Sequence, residues 1–169
     1  MGLVPTSNRI RRARLDEASI LTDVALRSKA YWGYSAEFMA AARDKMNVTP
    51  QQLSAHTTFV LEESRPDGIG EVRGFYKLRE ITTQEVELTD LFLDPLAIGQ
   101  GWGRALWEHA VAIARNLGYT RMVWESDPNA EGFYLRMGGL RVGEVESTVK
   151  PGRKLPQMVY LLGDEPGGK

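Results

Sequence analysis

Cysteine is absent from this 169-residue chain, and histidine occurs only at His56 and His109. The first absence excludes disulfides, thiolate metal centres and a cysteine nucleophile, and it suits a reducing compartment. The second leaves too few imidazoles for a histidine-rich metal site, so no metal is expected and both histidines read as surface or turn residues. Charge of one sign is also lacking: 21 lysines and arginines face 22 aspartates and glutamates, for a net charge of -1. No whole-molecule field draws the chain to nucleic acid or to an anionic membrane, and neither is expected as a partner. No apolar run approaches bilayer-spanning length, and residues 1–14 lack the apolar centre of a signal peptide. The expected location is the cytoplasm.

What remains is a chain sized for one domain with one substantial core. The domain is expected over residues 9–162, with flexible ends at 1–8 and 163–169. A short strand is read at 10–15, followed by helices at 17–31 and 35–45 around the aromatic loop Trp32-Gly33-Tyr34. Thr49 and Pro50 begin a short helix at 50–55 as N-cap and first residue. The period then changes to that of strands at 57–62, 72–81 and 86–93, read as an antiparallel meander. A helix at 104–117 with a buried stripe of Leu106, Ala110, Ile113 and Leu117 leads to a strand at 120–125, completing a βαβ unit. A helix at 130–137, N-capped by Asp127 or Asn129, and strands at 140–148 and 157–162 close the chain.

Gly99-Gln100-Gly101-Trp102-Gly103-Arg104 is the most informative stretch. Alternating glycines opening onto a helix leave free backbone N–H groups at a positive dipole end, with no side chains to stop a phosphate approaching. A Walker A loop is excluded because Arg104-Ala105 stands where that loop needs Lys-Ser or Lys-Thr. A dinucleotide fingerprint needs Gly-x-Gly-x-x-Gly after a first strand; the spacing here is tighter and lies behind the meander, although Glu125 sits near the place of its ribose-binding acid.

With these residues the chain resembles the GCN5-related N-acetyltransferase superfamily, over about residues 9–162. Ile98 to Gly103 matches the family's Arg/Gln-x-x-Gly-x-Gly/Ala pattern except at Ile98, where a polar side chain is usual. Asp127-Pro128-Asn129-Ala130-Glu131-Gly132-Phe133-Tyr134 is similar to a second family segment, with a shortened spacing, and Gly139 stands where a large apolar residue is common.

The resemblance implies an α/β (α+β) fold, a single domain with a mixed, mostly antiparallel sheet flanked by helices. It implies acetyl-CoA as co-substrate and direct acetyl transfer to a primary amine of a small molecule or peptide. Ile98, Gly99, Gln100, Gly101, Trp102, Gly103 and Arg104 are then the diphosphate cradle, with Arg136 adding charge. Amides near Leu91 and Leu93 would hold the pantetheine arm and thioester oxygen, and Asn129 and Tyr134 would lie beside the cofactor. Tyr134 would protonate the departing thiolate, and Glu87, by alternation on one face with Thr89 and Leu91, would serve as general base. Asp90 is the weaker choice of base. Trp32, Tyr34 and Phe38 would line the acceptor side, and a homodimer is one assembly known among such proteins. A second reading is a catalytically quiet acyl-CoA-binding sensor, which would keep the glycine cradle but tolerate loss of Glu87 and Tyr134.

Overall fold

The computed structural model describes residues 8–163. Seven strands form one sheet: β1 Asn8–Arg12, β2 Thr57–Ser64, β3 Gly70–Glu80, β4 Glu85–Leu93, β5 Arg121–Glu125, β6 Leu140–Glu146 and β7 Lys154–Leu161. Their order is β1-β2-β3-β4-β5-β7-β6. Every neighbouring pair is antiparallel except β4 and β5, the parallel strands joined through a helix. The expected meander is thus β2 to β4, and the expected βαβ unit is β4, the long helix after it and β5. The helices are α1 Ala18–Ala30, α2 Ala36–Ala42, α3 Pro50–Ala55, α4 Trp102–Asn116 and α5 Glu131–Arg136. Among the described residues no helix is long and apolar enough to cross a membrane.

Strand alternation divides the core between the two sheet faces. Phe59, Leu61, Tyr76, Leu78, Val86 and Leu88 pack with α4 and with Trp124 and Tyr134, whereas Val60, Val72 and Phe75 pack with α1 to α3. Burial of these side chains is the main favourable term holding helices to sheet.

Several expectations need correction. Asn8, placed in the flexible N-terminus, pairs with Glu63, and β1 ends at Arg12 because the chain turns to bring buried Glu17 under Arg11 (2.6 Å). The other residues of the expected flexible ends, apart from Gly163, lie outside the described residues. The second helix stops at Ala42 and continues as a 3-10 turn, Arg43–Met46. On α4 the buried stripe is Leu106, Trp107, Ala110, Val111 and Ala114, while Leu117 is half exposed. The large Trp107 ring, set edge-on to Trp124, Tyr134 and Tyr160, anchors this face, and Ile113 packs at its margin. No side chain caps α5, whose N-cap position is Ala130. His109 is no mere surface residue: its Nδ1 lies 2.7 Å from the hydroxyl of buried Tyr76, and its ring packs on Phe59.

Candidate active site

Strands β4 and β5 pair over only three residues each, Glu85 to Glu87 with Arg121 to Val123, and then part. Beyond that point residues 88–93 pair only with β3, and Trp124 and Glu125 only with β7. Backbone groups on the inner edges of both strands therefore lose their ladder partners where the sheet opens. A cleft of about 570 Å³ occupies the gap, lined by residues 88–93 and by Gly103, Trp124, Asp127, Asn129, Tyr134 and Arg153 among others.

A β-bulge sets what β4 shows to this cleft. Lys77 pairs with Asp90 but Leu78 with Leu88, so Thr89 is an extra residue, and its hydroxyl donates to the Lys77 carbonyl (3.3 Å). The alternation changes phase there. Val86 and Leu88 before the bulge, and Leu91 and Leu93 after it, face the same core, while Phe92 faces the other. The grouping of Glu87 with Thr89 and Leu91, drawn from strict alternation, is therefore wrong: Glu87 shares its side with Asp90.

At the far end of β4, Asp94 accepts from Leu96 N (3.0 Å) and binds Arg27 (2.8 Å), fixing the turn that leads to the glycines. Gly99 and Gly101 have φ of +82° and +84°, backbone that L side chains rarely adopt. Gly101 is the N-cap of α4, no side chain caps it, and the first helical bond is Ala105 N to Gly101 O (3.2 Å). The N–H groups of Trp102, Gly103 and Arg104 thus open the helix with the positive end of its dipole. The Ile98 N–H is instead spent on the Pro95 carbonyl (3.3 Å), which takes it out of the expected set of ligand-facing amides. Gln100 braces the loop by donating to Leu96 O (3.1 Å) and accepting from Trp102 Nε1 (3.3 Å). At Gly103 a Cβ would sit 3.4 Å from both Leu93 Cδ1 and Phe133 Cε2, an ordinary contact where α4 packs on β4 and α5. Arg104 is exposed and paired with Glu108 (2.8 Å), and Arg136 lies exposed at the cleft rim.

Tyr134 is buried on the cleft wall among Trp107, Trp124 and Phe133. Burial pushes its phenol above the ordinary value, and the charges of Asp90 and Asp127 push it further. Gly139, the departure noted above, has a reason. A Cβ there would lie 3.0 Å from Tyr134 O and 3.1 Å from Trp124 Cζ2, so the Trp124 ring fills the space a larger residue takes elsewhere.

Glu87 stands apart, outside the cleft lining and ion-paired with Arg79. Asp90 is in the lining, 14% exposed, with Lys77 Nζ 2.7 Å from Oδ2 but off hydrogen-bond geometry, so that this buried oxygen has no hydrogen-bond partner. Lys77 is held in turn by Gln52 Oε1 (2.9 Å).

Tyr34 and Phe38, expected on the acceptor side, meet a polar cluster that sequence reasoning missed. Tyr34 stacks on buried Phe38 with centroids 4.2 Å apart, and its hydroxyl donates to Asp127 (2.8 Å to Oδ2). Asp127 also accepts from Lys29 (2.5 Å), Arg153 (3.2 Å) and the Asn129 amide (2.8 Å). Burial opposes its charge, but the Lys29 hydrogen bond and charge hold its carboxyl below the usual range. Trp32 is 45% exposed at the rim. Partners so distant in sequence leave no local pattern, and Asp127 by itself reads as a helix cap. Among the described residues no group of three or more histidines, cysteines or carboxylates is placed to hold a metal.

A model of the acetyltransferase (GNAT) family matches residues 26–139. The chain is 29% identical over 136 residues to a 5-NmdU N-acetyltransferase of Pseudomonas phage PaMx11, covering 80% of this chain and 89% of that one. Its fold matches a GCN5-related N-acetyltransferase of Rhodopseudomonas palustris at a TM-score of 0.70, with 18% identity, 95% of this chain and 99% of that one covered. A PaiA N-acetyltransferase of Thermoplasma acidophilum in complex with coenzyme A matches at 0.67, with 20% identity and 92% and 99% covered. The family model spans the glycine cradle, the parted strands and Tyr134, and by that match the chain belongs to the GNAT acetyltransferase family.

Proposed function

We propose that the cleft between β4 and β5 binds acetyl-CoA and that the enzyme transfers the acetyl group directly to a primary amine of a small molecule or peptide. The observation that carries this reading is the convergence of an uncapped, glycine-fronted helix N-terminus and two parted strands on one cleft. The N–H groups of residues 99–104 hold the diphosphate, and the β4 amides at Leu91 and Leu93 hold the pantetheine arm and polarise the carbonyl. Acetyl-CoA supplies the activated thioester; the chain supplies orientation and proton movement. The acceptor amine must lose a proton before it attacks, and Asp90, a carboxylate of the cleft lining whose Oδ2 faces Lys77, takes it directly or through water. Tyr134, kept protonated by its surroundings, donates to the departing sulfur. Glu87 keeps a strand-pairing role with Arg79. The cytoplasm is the proposed location, in keeping with a chain free of cysteine.

Free-thiol release from acetyl-CoA with a panel of amines tests the reading. Amine-dependent release is expected, with kcat falling about 100-fold in Tyr134→Phe, the low end of general acid catalysis. Tight acetyl-CoA binding with no release for any amine would point to a sensor instead.

A further inference from the structure

The cluster at the acceptor end of the cleft has one positive charge too many. Lys29 and Arg153 share a single carboxylate oxygen, Asp127 Oδ2, at 2.5 and 3.2 Å. The side chains of all three are only 14 to 15% exposed. The other enclosed carboxylate of the cleft, Asp90, already faces its own cation, Lys77, which is 8% exposed. The remaining charged residues of the lining, Lys45, Glu125, Arg136 and Glu146, are exposed and solvated. A poorly solvated cation without a counter-charge is costly, so the site favours a second anion.

The aromatic pair beneath the cations sharpens this. Arg153 Cζ lies 4.9 Å from the Phe38 centroid and 5.2 Å from that of Tyr34, and Lys29 Nζ lies 5.1 Å from Tyr34 and 5.7 Å from Phe38. These contacts fix both cations in place without neutralising them. Arg153 Nη2 further donates to the Tyr34 hydroxyl (2.7 Å), so the guanidinium is anchored at one edge. Burial pulls the Lys29 ammonium below its ordinary range, and the Arg153 charge pulls it the same way while Asp127 only partly offsets them.

From this charge imbalance, and resting on the acetyl-transfer reading of the same cleft, we propose that the acceptor carries an anionic group, a carboxylate or a phosphate, held by Lys29 and Arg153. Amino acids and amino phosphates are then the preferred class, and polyamines are repelled.

The test compares kcat/KM by thiol release for matched amines: α-, β- and γ-amino acids, their carboxamides, phosphoethanolamine, and diamines of similar length. The best anionic acceptor is expected to exceed its neutral counterpart by about 10- to 100-fold, the worth of a charge-assisted hydrogen bond. Lys29→Met and Arg153→Met should each collapse that ratio toward one, and Arg153→Lys should restore part of it. Because the ratio is taken within one variant, differences in amine reactivity or in the amount of folded enzyme cancel. A cluster that only braces the loops would slow all acceptors alike and leave the ratio standing, which would overturn the inference. So would equal or better use of carboxamides and diamines. Phosphoethanolamine against β-alanine tells which anion is meant. Absence of release in every arm would instead overturn acetyl transfer itself, and the inference with it.

Discussion

Replacing Gly101 with alanine separates the cradle's function from its cost in stability. The residue sits at φ +84°, and a Cβ there would have nothing within 4 Å, so alanine meets no clash and only the left-handed backbone is penalised. That penalty is about 1 to 2 kcal/mol. For a chain of this size it lowers Tm by about 2 to 8 °C. Gly68, in the turn between β2 and β3, provides a matched control: φ is +82°, and it too has open space around it. Gly68→Ala should lose the same stability. The two variants part on acetyl-CoA affinity, measured by calorimetry. If alanine relieves its strain by turning the 99–104 amides, one charge-assisted hydrogen bond to the diphosphate is worth about 1.5 to 3 kcal/mol, or about a 10- to 150-fold rise in Kd. Gly68→Ala should bind as the wild type does. Unchanged acetyl-CoA affinity in Gly101→Ala, once amide exchange or a crystal structure shows that the 99–104 amides have turned, would refute the assignment of the diphosphate to this turn.

Asp90→Asn should lower kcat/KM by about 100-fold or more, whereas Glu87→Gln should change it only a few-fold; the reverse order in the thiol-release assay would restore Glu87 as the base. Glu17, 3% exposed and bound to Arg11 and Arg14, is held below its ordinary value of 4.5 by those partners although burial pushes it the other way. Because the folded carboxyl has the lower pKa, its stabilisation is complete above about pH 4.5 and fades as pH falls through the folded value. Glu17→Gln should cost about 3 kcal/mol at pH 7, since Arg11 keeps Glu62 as a second partner, and urea midpoints should show this cost shrinking toward pH 3.

The elements were legible where one local pattern decided them: β-branched alternation gave the meander, and Gly99 to Gly103 marked the turn that opens α4. Tyr134, singled out through its Phe-Tyr signature as the proposed proton donor, lies on the cleft wall. The face on which Glu87 lies was not legible, because the bulge at Thr89 is a property of pairing between β3 and β4 and leaves strict alternation looking intact. Lys29, Asp127 and Arg153 were hidden for a related reason. They come from the end of α1, the loop after β5 and the turn before β7, and only the assembled sheet brings them together. On α4 the stripe was legible at Leu106, Ala110 and Ile113 but missed Trp107, Val111 and Ala114, and Leu117 lies at the C-cap, where it is half exposed.

A crystal structure of the protein soaked with acetyl-CoA would test the central claim most directly. The account predicts diphosphate oxygens within hydrogen-bond distance of N–H groups of residues 99–104 and the thioester lying between β4 and β5 beside Tyr134. Diphosphate density on the Lys29 and Arg153 cluster, with the glycine turn left bare, would contradict it.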